Sequence, residues 1–117
     1  TMKSINKIFG VYLLIILFIL LANTSFGQIV VTQFTADWNK QNEPEWFGKL
    51  KECELSKADI VEFPKLQKKH NIIIVPTIII FKNGKEVKRF QADISFKMVA
   101  TRKEVQSSIS ELIMDKF

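Results

Sequence analysis

Apolar and polar positions divide this chain into one long hydrophobic run and a series of short periodic segments. Ile8–Ala22 is an uninterrupted stretch of 15 residues without a charge. Read from Met2, Lys3 and Lys7 form a basic start before it, and Asn23-Thr24-Ser25-Phe26-Gly27 forms a polar exit with small Ser25 and Gly27 just before Gln28. That order predicts a secretory signal peptide over residues 1–27, cut after Gly27, with residues 28–117 as the folded domain. No Cys lies directly after the apolar run, so a lipoprotein-type anchor has no attachment point. If uncleaved, the run extended by Phe26 and Ile29–Val31 approaches the ~20 apolar residues that a spanning helix needs. The expected location is periplasmic or secreted after cleavage, and anchored in the inner membrane facing outward without it.

Beyond Gln28 the periods change. Ile29–Thr35 is rich in β-branched residues and predicts a buried strand, with Val30, Thr32 and Phe34 on one face. Asn42 followed three residues later by Glu45 reads as a helix cap, and Trp46, Phe47 and Leu50 recur at helical spacing. Glu54–Ile60 predicts a second strand. Pro64 opens a second helix whose basic face is Lys65, Lys68 and Lys69. Ile72–Val75 and Ile78–Phe81 are nearly continuous apolar runs broken by Pro76. Asn83-Gly84 is a strong type I′ hairpin signal, because both central residues must accept positive φ. It joins Thr77–Lys82 to Lys85–Gln91. Thr101 with Glu104 caps a terminal helix whose apolar stripe is Val105, Ile109, Leu112 and Ile113. The order β-α-β then β-β-α predicts an α/β domain with one four-stranded mixed sheet flanked by helices.

Composition removes several function classes. The chain has 117 residues and a net charge of +5. Without the first 27 residues the charge is +3, from 15 Lys/Arg against 12 Asp/Glu. That is ordinary solubility and argues against a nucleic-acid partner. One Cys, Cys53, permits neither an internal disulfide nor a thiolate zinc cluster, and one His, His70, permits no multi-histidine metal site. No metal and no cofactor is expected.

Local motifs add a resemblance. Phe34-Thr35-Ala36-Asp37-Trp38 resembles the F-x-A-x-W strand end of the thioredoxin-like family, and Val75-Pro76-Thr77 resembles its I-P-T, whose proline is cis. Ile78-Ile79-Ile80-Phe81-Lys82-Asn83-Gly84-Lys85 resembles the strand–turn–strand that follows. The resemblance runs from Ile29 to Ile113 and implies a trimmed thioredoxin-like domain, βαβ then ββα, lacking the family's first strand and helix. In the family Cys-x-x-Cys follows the Trp; here Trp38 is followed by Asn39-Lys40-Gln41-Asn42, so both cysteine positions are Asn. Dithiol exchange needs a thiolate and a second, resolving thiol, and a carboxamide supplies neither. The family's buried acid before the strand Phe corresponds to Gln33, and its lysine neighbour to Lys57, expected here without a charged partner. The implied role is a protein- or peptide-binding module without dithiol activity. Its groove is built from Trp38, Asn39, Asn42, Val75, Pro76 and Thr77 and takes an extended peptide at the Pro76 edge.

The alternative is a monothiol disulfide oxidoreductase working through Cys53. Against it, Cys53 lies at the start of the second strand, flanked by Glu52 and Glu54, whose charges oppose thiolate formation. Other residues take plain expectations. His70 is a surface residue at a helix end. Glu43, Glu45 and Glu52 are solvated. Trp38 and Trp46 cap the core or anchor an interface, and the lysines form solvated faces. Phe96, Met98 and Val99 tuck under the terminal helix, or else Phe96–Met98 forms an exposed protein-binding patch. A membrane contact follows only if residues 1–27 stay attached.

Overall fold

The computed structural model describes residues 28–114; the expected leader over 1–27 and residues 115–117 lie outside the described residues. The elements are β1 (Ile29–Thr35), two 3-10 turns (Asp37–Asn42 and Phe47–Lys49), β2 (Glu54–Asp59), α1 (Pro64–Lys69), β3 (Thr77–Lys82), β4 (Lys85–Gln91) and α2 (Arg102–Met114). The four strands form one mixed sheet in the order β2-β1-β3-β4. β1 runs parallel to β2 and antiparallel to β3, which pairs antiparallel with β4. The hairpin forms as its Asn-Gly sequence demands, with Asn83 at φ 54° and Gly84 at φ 81°.

β1 lies inside the sheet and is covered on both faces, so its apolar residues are not confined to Val30, Thr32 and Phe34. On one face Ile29 and Val31 join Ile78, Ile80, Phe47 and Leu50 under Val105 and Ile109 of α2. On the other, Phe34 and Ile79 pack with Ala36, Ile72 and Val75, with Leu66 of α1 against them. Thr101 Oγ1 accepts the Glu104 N–H at 3.2 Å, capping α2 as its sequence predicts.

The expected helix after Asn42 does not form. From the end of β1 the chain must return along the sheet to the start of β2, about 20 Å for six strand residues. Residues 43–53 wound at ~1.5 Å each would fall short of that. Pro44 removes one amide donor and Gly48 weakens any helix through it, so the stretch is extended around a short turn. Asn42 caps nothing; its amide is used elsewhere. Residues 72–76 are likewise a loop, with Ile72 and Val75 buried and Ile73 exposed, and the Val75–Pro76 bond is cis.

Candidate functional site

The strand directions bring four loops to one end of the sheet: residues 36–42 after β1, 60–63 after β2, 72–76 before β3 and 92–98 after β4. Trp38, Val61, Ile73, Ile94 and Phe96 all lie on these loops. They are five of the eight large hydrophobic side chains exposed among the described residues. Trp38 is 57% exposed, so it does not cap the core; Trp46 does, packing against the cluster under α2. Phe96 is out from under α2 and meets Trp38 edge to face, ring centroids 5.1 Å apart. Val99 is also exposed, and only Met98 of the expected trio packs inward.

At the centre of this end stands Asn39, only 2% exposed. Its Nδ2 donates to the Val75 carbonyl at 3.2 Å and to the Phe96 carbonyl at 3.0 Å. Its Oδ1 accepts from Asn42 Nδ2 at 2.7 Å. One carboxamide therefore ties together three of the four loops, using both of its donors and its acceptor. The backbone fixes this orientation: Asn39 N–H donates to the Ala36 carbonyl at 2.9 Å, turning the chain sharply after β1. Val75, Pro76 and Thr77 are buried beneath the closure, Pro76 accepting the Ala92 N–H at 3.1 Å. Of the six expected groove residues the structure brings all to one place, with Trp38 exposed, Asn42 half-buried and the others covered.

Beneath the loop lies a polar cluster that corrects two expectations. Gln33 and Lys57 are register partners on β1 and β2, and Thr35 lies two residues on, on the same face. Glu43, expected to be solvated, folds over them at 12% side-chain exposure. Its carboxylate accepts from Thr35 Oγ1 at 3.1 Å and Gln33 Nε2 at 3.4 Å, and pairs with Lys57 Nζ at 2.5 Å. Lys57 thus has the charged partner that the sequence reading denied it. Glu43 lies outside the strand-end motif, and a half-exposed lysine opposite a neutral Gln33 does not by itself call for a carboxylate, so nothing in the local sequence marks Glu43 as its partner. Gln33 Oε1 is buried with no hydrogen-bond partner among the described residues.

The lone thiol is elsewhere. Cys53 precedes β2 at the opposite end of the sheet, about 20 Å of strand from the Trp38 loop. Burial against the core, then Glu54 and Glu52, push its pKa up to about 11. His70 is also not the surface residue expected. It closes α1 with its ring between Phe34 and Phe81, at centroid distances of 5.2 and 5.4 Å. Burial lowers its pKa, helped by Lys69 and Arg89 and opposed by Glu86. Among the described residues no cluster of His, Cys, Asp and Glu could hold a metal.

A family model described as Thioredoxin matches residues 21–104. The chain belongs to the thioredoxin family. Thioredoxin H2 of Arabidopsis thaliana is 26% identical over 92 residues, 74% of this chain, which spans 64% of that relative's length. Among solved structures, the thioredoxin NaTrxh of Nicotiana alata superposes with a TM-score of 0.62 at 23% identity, covering 81% of each chain. A Schistosoma mansoni thioredoxin pre-protein in its reduced form gives 0.60 at 26% identity, covering 79% of this chain and 86% of its own. Within this thioredoxin fold, the two positions that the resemblance assigns to cysteines carry two amides hydrogen-bonded to each other.

Proposed function

We propose that this thioredoxin-family domain is exported and acts by binding protein or extended peptide at the Trp38 end of the sheet, without dithiol exchange. The observation that carries this reading is the Asn39–Asn42 amide pair at the end of the sheet whose loops also carry exposed apolar side chains. An amide pair has no thiolate to attack and no disulfide to resolve. Exposed aromatic and aliphatic groups on one end of a small domain suit a partner's apolar side chains. Export rests on the basic, apolar and polar order of residues 2–27.

Two measurements test this. In an insulin-reduction assay the chain should give no turnover above the uncatalysed rate; turnover abolished by Cys53→Ser would overturn the reading in favour of the monothiol route. In pull-downs from the exported fraction, any captured partner should be lost with both Trp38→Ala and Phe96→Ala. Retention by both would remove this end of the sheet from the binding surface.

A further inference from the structure

A second surface lies along α2, away from the Trp38 loops. An open cleft of about 730 Å³ separates residues 49–52 from the helix flank that leaves the core. Lys49, Lys51, Arg102 and Lys103 line it, against two carboxylates, Glu52 and Glu111. Ion pairs among the described residues join Lys57 to Glu43 and Arg89 to Glu86, so none of these four cations is paired there. The walls are fixed rather than loose. Lys51 N–H donates to Gln106 Oε1 at 2.8 Å, and Gln106 Nε2 donates to the Lys51 carbonyl at 2.9 Å. This two-way amide bond holds the lysine-bearing segment against the helix. Ser107 and Ser110 add hydroxyls to the lining.

We propose that this cleft binds an extended acidic peptide segment of a partner protein. Convergent unpaired cations favour an anion, and hydroxyls beside them offer donors for carboxylate oxygens or peptide carbonyls. The shape selects among anions. The lining recurs from Arg102 to Met114, and 13 helical residues span ~20 Å. An extended peptide of about six residues covers that length. On the helix the cations Arg102 and Lys103 stand at one end of that length and Glu111 near the other, so the acidic residues of the peptide lie toward Arg102.

The test uses the full chain and a fluorescein-labelled oligoglutamate peptide, read by anisotropy. Saturable binding is expected, weakening as salt is raised. Lys49→Glu/Lys103→Glu should weaken it about tenfold, as for two exposed ion pairs turned to repulsion. Lys49→Gln/Lys103→Gln should weaken it less, in the same direction. Lys85→Glu/Lys88→Glu on β4, with the same charge change, should leave it within about twofold. Equal weakening by both charge-reversed pairs would reduce the effect to net charge and overturn the proposal. So would an absence of saturable binding. Binding instead to phosphatidylglycerol vesicles, dependent on Lys49 and Lys103, would overturn it in favour of a lipid surface.

Discussion

Replacing Asn39 by Ala tests whether the amide at the first cysteine position holds the site together. The side chain is almost fully buried and engages three partners: the Val75 carbonyl, the Phe96 carbonyl and Asn42 Nδ2. A hydrogen bond contributes about 1 kcal/mol net, and a buried acceptor left without a donor costs about 1–3 kcal/mol. Asn42 is half-buried and Phe96 is exposed, so water can replace part of what those two lose. The Val75 carbonyl is in the core and cannot be rescued so easily. The expected loss is therefore about 2–4 kcal/mol, roughly 10–25 °C in Tm for a domain of this size. Asn42→Ala removes one bond from a half-buried site and should cost only about 1 kcal/mol. In a Trp46→Phe background, Trp38 emission reports the loop directly, since Phe96 stacks on its edge. Asn39→Ala should shift that emission to the red as the 92–98 loop is released, at temperatures where the domain is still folded. Thermal denaturation of both variants decides the matter. If Asn39→Ala costs no more than Asn42→Ala, the bonds to Val75 and Phe96 carry no weight and the clasp reasoning fails.

Lys57→Met strips the counter-ion from a mostly buried carboxylate and should cost about 1–2 kcal/mol in urea unfolding, discounted because Lys57 itself is half-exposed; Glu43→Gln/Lys57→Met should cost less than the two single changes summed. Cys53, raised to about 11 from an ordinary 9.0, should alkylate with iodoacetamide at pH 8 some 10–100-fold more slowly than a free thiol, its rate still climbing at pH 10; a plateau below pH 9 would refute the buried placement. Because the His70 pKa is lowered on folding, the unfolded chain binds more protons. Stability held above the ordinary value of 6.5 should fall as pH drops below it, and His70→Gln should flatten that slope.

What the sequence revealed and what it hid follow from the range of the interactions involved. β1, the Asn83-Gly84 hairpin and α2 were legible because each is specified locally, by β-branched runs, a positive-φ dipeptide or a cap with an apolar stripe. The turn after Asn42 was not, because its form is set by the distance back to β2 rather than by its own periodicity. Trp38, Asn39, Val75 and Pro76 were found together only through the motifs flanking them. Their closure by the Phe96 carbonyl was invisible, since a backbone oxygen leaves no mark in a sequence. Glu43 shows the same limit for charge. A carboxylate meets Lys57, yet which of several acids supplies it depends on how the chain folds back after Asn42.

Amides at the two positions that the resemblance assigns to cysteines bear on more than reactivity. A cysteine pair at these positions would have two states, bonded and open, and the loops packed around it would answer to the redox potential. The amide pair has one state: Asn42 donates to Asn39, and Asn39 donates to Val75 and Phe96, whatever the surroundings. The apolar surface built on those loops should therefore be constant between oxidising and reducing conditions. Trp38 emission in the Trp46→Phe background and the thermal midpoint should both be the same with and without dithiothreitol. Cys53, with its thiol held protonated at the far end of the sheet, has no route to that surface. A shift on reduction that disappears in Cys53→Ser would show that the lone thiol does reach the Trp38 loops, and the separation of the sheet's two ends would no longer explain the molecule.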